Sequence, residues 1–305
     1  ARHADKDTRI TRQGDRRQGG ILKRLPDRLQ HQTMLRIGHL AFRGGELEEI
    51  AVKPRDAFAI HLQDIHLRLH AGEILGLAGV AGNGQDELVD LINGELRSDS
   101  GSLLFSGKDI GRTAVQQRRE LGLAVVPADR IGRGALGNMS LTENNLLTSY
   151  ITQTGRLGWL HWPSIKARAT TIIERFKVKA TGPEASAKSL SGGNLQKFII
   201  GREILQNPKV LVCFHPTWGV DVGAANLIHQ ELIKLRDKGA AILVISEDLD
   251  ELYLLADRLG ALCGGRLSPL AAKAEVPLGQ LGQWMTGNFG SHLADNTAAE
   301  VAHAH

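Results

Sequence analysis

The segment Leu190-Ser191-Gly192-Gly193-Asn194-Leu195-Gln196-Lys197 decides how this sequence is interpreted. Ser191 is a good N-cap residue, and the apolar residues after it have the spacing of a helix that packs on a core. Gly192 and Gly193 leave the backbone N–H groups of the helix start open to an anion. An ordinary capped helix has the same local sequence, so the neighbouring motifs have to separate the two interpretations.

A second glycine-rich segment, Gly79–Asp86, follows an apolar stretch and precedes a helical pattern. It has the frame of a phosphate-binding loop, in which glycines allow tight turns and the next helix points its positive end at the phosphates. The lysine and hydroxyl positions of that motif hold Gln85 and Asp86. Gln85 offers a hydrogen bond without charge, and Asp86 repels phosphate unless a cation such as Mg²⁺ intervenes. Taken alone, a glycine-rich turn without a ligand explains the segment equally well.

Apolar runs and periodicity around these two segments predict an α/β fold. Short, wholly apolar runs are typical of parallel strands that are covered on both faces. Alternating runs predict antiparallel strands with one solvated face. The predicted buried strands are 72–78, 121–126, 210–214 and 241–246. The predicted alternating strands are 35–40, 60–62 and 65–69, and the predicted helices are 87–92, 164–176 and 195–205.

The order of these motifs resembles the ATP-binding cassette (ABC) ATPase family over residues 35–288. The sequence is most similar to the second, degenerate ATPase half of importers for nucleosides and simple sugars. The matching phrases are Gly72–Leu88, Val126–Gly134, Leu190–Lys197, His215–Ala224 and Ser246–Arg258. The resemblance implies an ABC-type P-loop NTPase fold, with an antiparallel β subdomain, a mixed or parallel core sheet and an α-helical subdomain at about 138–205.

The resemblance also implies a nucleotide site shared by two cassettes that pair head to tail. Residues of the signature segment would close the partner's site, namely Ser191, Gly192, Gly193 and Gln196. Residues of the phosphate loop would hold this chain's own nucleotide, namely Gly79, Gly82, Asn83, Gly84, Gln85 and Asp86. Asp221 matches the aspartate at the seam between cassettes. Phe58 is the candidate for stacking on adenine, with core packing as the alternative.

Several positions depart from the family pattern, and all of them belong to this chain's own nucleotide site. The Asp-Glu pair that serves Mg²⁺ and the attacking water is replaced by Phe214 and His215. Glu247 occupies the position of the switch histidine, and Ala128 replaces a Mg²⁺-sensing side chain. A swapped His215/Glu247 pair is a weaker hypothesis, because the lysine and the Mg²⁺ aspartate are missing. We expect a half that binds ATP, together with Mg²⁺, and contributes its signature to a competent half. No residue is predicted to be catalytic.

Composition argues against a membrane-spanning segment and against binding of nucleic acid. The 305 residues are 42% apolar, without a run long enough to span a membrane. Residues 1–36 hold ten Lys/Arg and four Asp/Glu, whereas the remaining 269 hold 27 and 29. The basic character is therefore confined to a leader, 1–34, interpreted as a linker or the remnant of a preceding cassette, and nucleic acid is not expected as a partner. Residues 289–305 are expected to form a flexible tail.

The expected location is cytoplasmic, on the inner face of the cell membrane. The expected partners there are a competent cassette, transmembrane permease subunits and, indirectly, an extracytoplasmic solute-binding protein. Two other classes stay open. A regulatory or scaffold module would bind ATP regardless of any partner cassette. A soluble ABC ATPase that acts on nucleic acid would show salt-dependent DNA or RNA binding that is lost without residues 1–36.

Overall fold

The computed structural model describes residues 33–37, 60–98, 101–153 and 159–290. The strands are β1 (Thr33–Ile37), β2 (Leu67–His70), β3 (Ile74–Ala78), β4 (Leu103–Phe105), β5 (Lys108–Asp109), β6 (Leu123–Val126), β7 (Val210–Phe214), β8 (Ala241–Ser246), β9 (Arg258–Cys263), β10 (Arg266–Leu267) and β11 (Ala271–Ala272). The helices are α1 (Gln85–Asn93), α2 (Val115–Leu121), α3 (Leu141–Gln153), α4 (Trp162–Arg175), α5 (Gly192–Ile204), α6 (Val222–Asp237), α7 (Leu249–Leu255) and α8 (Leu278–Met285). Short 3₁₀ turns occupy Ala187–Ser189 and Lys273–Glu275.

The smaller sheet is antiparallel, with the strand order β2-β1-β4-β5. Leu67 and Leu69 are buried whereas Arg68 between them is exposed, as the alternating pattern predicts. The prediction of a strand at Ile60–Leu62 is wrong. The N–H of Ile60 donates instead to the Glu87 carboxylate of α1, at 3.0 Å, and Leu62 is buried. The segment lies against the start of α1 and against the turn between β9 and β10, so its apolar residues alternate without pairing as a strand.

The larger sheet has the strand order β10-β9-β3-β8-β7-β6, and β11 pairs with β9. The five strands from β9 to β6 are mutually parallel, and β10 and β11 run antiparallel to β9. Every residue of β3, β7 and β8 is buried. The two apolar runs at Val210–Phe214 and Ala241–Ser246 therefore form the predicted strands with the predicted bounds. Since parallel strands present the same ends together, the segments that follow β3, β6, β7 and β8 meet at one edge.

Two hydrophobic clusters pack on opposite faces of this sheet. Within β3, Ile74 and Ala78 belong to one cluster, whereas Leu75 and Leu77 belong to the other. The first cluster includes residues of α5, α6 and α7, and the second includes α1 and the smaller sheet. Helices on both faces of a largely parallel sheet, with a separate antiparallel sheet, confirm the predicted fold class.

Helices α3, α4 and α5 contact one another in the region that the sequence assigns to a helical subdomain. The domain boundaries at 34, 138, 205 and 288 stay predictions, since a contact between helices does not define a boundary. Residues 1–32 of the proposed leader lie outside the described residues, whereas its last two residues, Thr33 and Met34, belong to β1. The proposed tail lies outside the described residues from Ser291 onward. In the described part of the chain, no helix is long and apolar enough to cross a membrane.

A buried arginine holds the far end of the phosphate-loop helix. The Arg118 guanidinium is fully buried and donates to the carbonyl oxygens of Leu91 and Ile92 in α1, and to those of Ile110 and Gly111. Burial lowers the pKa of Arg118 to about 10, opposed by the nearby Asp109 carboxylate. These bonds satisfy carbonyl groups that the helix leaves unpaired at its end, so the end of α1 is tied to Ile110 and Gly111 and to α2.

Candidate nucleotide half-sites

The phosphate loop connects β3 to α1 in the strand–loop–helix arrangement that the sequence predicts. Gly82 and Gly84 have φ values of 80° and 106°, which side chains with a Cβ rarely adopt. Asn83 ties the loop to the turn between β9 and β10. Its side-chain oxygen accepts from the N–H of Gly264 and its carbonyl from the N–H of Gly265, both at 2.9 Å. The loop therefore has a fixed backbone with glycines at its turning points.

Gln85 fills the space beneath this loop. Its side chain is 1% exposed, and its amide nitrogen donates to the carbonyl oxygen of Val80 at 2.9 Å. Its amide oxygen accepts from the backbone N–H of Asn83 at 3.0 Å. A Cβ placed on Gly79 would lie 2.3 Å from the Gln85 nitrogen, so only glycine fits above it. One backbone donor of the cradle is thus bonded within the chain instead of facing a phosphate.

Glu247 forms a hydrogen bond with a second backbone donor of the loop. One carboxylate oxygen of Glu247 accepts a hydrogen bond from the Ala81 N–H at 2.5 Å. Asp86 lies on the same helix start, and its pKa is raised by partial desolvation and by the carboxylates of Glu87 and Asp90. The loop therefore meets a carboxylate of its own chain at the place where a phosphate-binding loop meets an anion. Together with Asp86, this carboxylate makes the mouth of the loop unfavourable for a triphosphate.

The residues at the end of β7 do not fit a Mg²⁺ site. Phe214 is 3% exposed and offers no metal ligand; its ring stacks on the His215 imidazole with 4.6 Å between ring centres. Burial lowers the pKa of His215, and the nearby carboxylates of Glu247, Glu251 and Asp86 oppose that shift. Within the described residues, no three acidic, histidine or cysteine side chains are grouped closely enough to hold a metal ion. The donor set therefore disagrees with a Mg²⁺-ATP complex held for hydrolysis.

The signature segment, unlike the phosphate loop, has an exposed helix start. Ser191 is the N-cap of α5, and both Ser191 and Gly192 are exposed. The Asn194 side-chain amide donates to the Ser191 hydroxyl at 2.8 Å, which orients that hydroxyl at the helix start. A Cβ on Gly193 would lie 2.9 Å from the Gly219 carbonyl oxygen, so the helix start packs directly on the loop after β7. The signature is therefore at the surface, with its glycines required by close contacts.

Gln196 differs from the other predicted signature residues because its side chain faces inward. It is 1% exposed, and its amide nitrogen donates to the carbonyl oxygens of His215 and Pro216 at 3.2 and 3.1 Å. Its amide oxygen accepts from Arg130 Nε at 3.1 Å. The sequence gives Gln196 a direct part in closing a neighbouring site, whereas the geometry makes it the support of Arg130.

Two predicted site residues remain, Asp221 at the surface and Phe58 outside the described residues. Asp221 is exposed and is the N-cap of α6, accepting from the Ala224 N–H at 2.9 Å. This hydrogen bond is the main cause that lowers the pKa of Asp221. Trp218 and Val222 on the same loop and helix start are 64% and 78% exposed, so an apolar surface adjoins the signature. Phe58 lies outside the described residues, and its role in stacking on adenine stays a prediction.

The family model described as ABC transporter matches residues 62–217. The guanosine import ATP-binding protein NupO of Bacillus subtilis is 38% identical over 228 residues, which are 74% of this chain and 45% of that protein. This chain belongs to the ABC transporter ATP-binding family. The nucleoside import ATP-binding protein NupA of Lactococcus lactis is 38% identical over 243 residues, or 79% of this chain and 48% of that protein.

Solved structures agree with the family in fold. An ATP-binding cassette solved as a dimer with ADP and phosphate has a TM-score of 0.65 at 18% identity, covering 79% of this chain and 99% of that one. A nucleotide-free cassette of an ABC transporter has a TM-score of 0.60 at 22% identity, covering 80% and 94%. This ABC chain spans less than half the length of the two import proteins that it matches.

Proposed function

We propose that this chain is the second, degenerate cassette of an importer for small solutes such as nucleosides or simple sugars. In this role it contributes its signature to the nucleotide of a competent partner cassette. One observation carries the proposal: Ser191 and Gly192 are exposed at the start of a long helix, while the chain's own phosphate loop is bonded to Gln85 and Glu247. The signature half-site therefore has an exposed helix start to offer an anion, whereas donors of the phosphate loop are already bonded within the chain.

The chain's own loop is proposed to bind ATP without hydrolysing it. Phosphoryl transfer depends on positioned positive charge around the phosphates rather than on covalent chemistry. Here Gln85 brings no charge, Phe214 offers no metal ligand, and the Glu247 carboxylate has to leave the Ala81 N–H before a phosphate takes its place. Binding at this loop is therefore expected to be weaker than at a loop with a lysine, and turnover is expected to be negligible.

Transport is proposed from the relatives rather than from the site. Both NupO and NupA are named import ATP-binding proteins, one for guanosine and one for nucleosides. By analogy, this chain would act at the inner face of the cell membrane with permease subunits and a solute-binding protein. The solute itself would be selected by those subunits, because a cassette does not contact it.

The test is ATP turnover by this chain alone and mixed with a competent cassette, meaning one that keeps the phosphate-loop lysine and the Asp-Glu pair. We expect negligible turnover alone and stimulation on mixing. Ser191→Arg places a long cationic side chain on the exposed helix start and should abolish the stimulation, by at least about 100-fold. The matched control is Ser164→Arg, at the start of α4, which should leave the stimulation unchanged.

Two outcomes would contradict the proposal. Brisk turnover by the isolated chain would show that its own half-site hydrolyses ATP. Stimulation that survives Ser191→Arg would show that the signature does not act on the partner. If ATP binds this chain but no partner cassette changes either binding or turnover, the scaffold hypothesis replaces the transport hypothesis.

A further inference from the structure

Arg130 joins the loop after β6 to the signature helix and to the loop after β7. Its Nε donates to the Gln196 side-chain oxygen at 3.1 Å, and its Nη2 donates to the Trp218 carbonyl oxygen. Gln196 is itself held by two carbonyl oxygens of the loop after β7. Two of the three guanidinium nitrogens, Nε and Nη2, are therefore held by hydrogen bonds to the Gln196 side chain and to the loop after β7.

The third nitrogen lies over the start of the signature helix. A Cβ on Gly192 would be 2.7 Å from Arg130 Nη1, so the guanidinium occupies the space that any other side chain would need. Among the described residues, Nη1 has no hydrogen-bond acceptor and Arg130 has no carboxylate partner. Since Ser191 and Gly192 are exposed, this nitrogen adjoins the surface that the signature presents.

The electrostatics of this arrangement favour an anion. A helix start carries partial positive charge, and a cation beside it is repelled unless a negative group lies between them. Arginine stays charged at neutral pH, and its planar fork matches the oxygens of a phosphate. Arg130 and the helix start would therefore repel each other in the free chain, and a phosphate contacting both would relieve that repulsion.

A purely structural arginine would be expected to look different. Arg118, which does serve as an internal anchor, is fully buried and bonds five carbonyl groups. Arg133, three residues after Arg130, pairs with the carboxylates of Asp90 and Glu95. Arg130 is less buried and has no charge partner within the part of the chain that the structure describes, although its loop and the signature both support it.

We propose that Arg130 binds the terminal phosphate of the nucleotide seated on the partner cassette, together with the Ser191 hydroxyl and the helix start. Gln196 is then a positioning residue, which acts through Arg130. The inference rests on the proposed function, because it assigns a further phosphate-binding side chain to the same signature surface.

The experiment uses the full chain mixed with a competent cassette and compares Arg130→Ala, Arg130→Lys and Ser191→Arg. Arg133→Ala is the matched control, since it removes the same charge from the same loop. We expect Arg130→Ala to lower the stimulated turnover by about 100-fold, which is typical of losing one donor to a transferring group. Arg130→Lys should restore part of it, and Arg133→Ala should stay within about twofold of the wild type.

A second readout separates phosphate binding from support of the fold. ATP-driven and ADP-driven association of the two cassettes is measured by light scattering, using a partner whose catalytic glutamate is replaced by glutamine. Because only ATP carries the terminal phosphate, Arg130→Ala should reduce ATP-driven association to the ADP level. The ADP-driven association and the melting temperature should not change.

The outcomes distinguish this inference from the proposed function. If Ser191→Arg abolishes stimulation while Arg130→Ala behaves as wild type, the assignment of Arg130 is wrong and the proposed function stands. If Arg130→Ala melts lower and weakens ATP-driven and ADP-driven association equally, Arg130 is structural and the assignment is again wrong. If Ser191→Arg has no effect, or mixing gives no stimulation, the proposed function fails and the role of Arg130 fails with it.

Discussion

The phosphate loop and the signature are both glycine-containing helix starts, yet they differ in what already occupies them. At the phosphate loop, the Ala81 N–H is bonded to the Glu247 carboxylate and the Asn83 N–H to the Gln85 amide. At the signature, Ser191 and Gly192 are exposed, and an Arg130 nitrogen that has no acceptor in the described ranges adjoins them. The comparison shows that glycines alone do not make an anion site: the backbone donors must also be free of acceptors from the same chain.

The charges around the two helix starts follow the same division. Asp86, Glu87 and Glu247 surround the phosphate loop, whereas Arg130 adjoins the signature. A triphosphate is negative throughout, so the first arrangement repels it and the second attracts it. One chain thus presents two surfaces of opposite charge, which accords with the proposal that its own loop binds ATP weakly while its signature serves a partner cassette.

Among the signature and loop positions not yet given a substitution, the largest effect is expected at Gly193. Gly193→Ala places a Cβ 2.9 Å from the Gly219 carbonyl oxygen, so the helix start or the loop after β7 must shift. We expect the stimulated turnover to fall by at least about tenfold, because small displacements of phosphate-contacting groups have large kinetic effects. Gly279→Ala in α8 is the control, since nothing lies within 4 Å of its Cβ. Equal turnover by the two variants would mean that the signature tolerates displacement.

A smaller effect is expected at Glu247. Glu247→Gln removes the charge at the Ala81 N–H, and ATP binding by the isolated chain, measured by calorimetry, should strengthen roughly fivefold. Asp250→Asn removes an exposed carboxylate nearby in α7 and should change binding little. Unchanged or weaker binding in Glu247→Gln would contradict the view that this carboxylate competes with phosphate.

The smallest effect is expected at His215. Burial lowers the pKa of His215, so the imidazole is neutral at and above neutral pH and is protonated only in more acidic solution. Without a positioned metal ion or lysine, a neutral base has no activated reaction to assist. His215→Ala should therefore change the turnover of the mixed pair by less than about twofold at neutral pH. The hypothesis of a swapped His215/Glu247 pair would return if His215→Ala lowered turnover strongly at neutral pH. The wild-type pair would then also have to lose turnover at acidic pH, and this pH dependence would have to be absent in the variant.

Much of the fold follows from local sequence. The bounds of β7 and β8 follow from apolar runs because both strands are buried on both faces, a position that favours apolar residues. The alternation at Ile60–Leu62 misleads because the same pattern arises when a loop packs on a helix. The sequence names Glu247 only by its family position, since its contact with Ala81 joins residues far apart in the chain.

The site was predictable to the extent that its motifs are contiguous. Ser191 and Gly192 lie in one segment and are where the sequence places them, at a helix start on the surface. Arg130 belongs to the matching phrase Val126–Gly134, but nothing in that phrase indicates that its side chain reaches α5. The inward orientation of Gln196 is equally invisible in the sequence, because helical periodicity gives a face and not the partners on it.

The central claim is that the nucleotide is hydrolysed only where this chain supplies the signature. The most direct measurement is the turnover of two mixed pairs, one carrying Ser191→Arg in this chain and the other carrying the equivalent signature substitution in the competent partner. We predict that the first pair loses its stimulated turnover while the second keeps most of it. Equal loss in both pairs, or loss only in the second, would contradict the account.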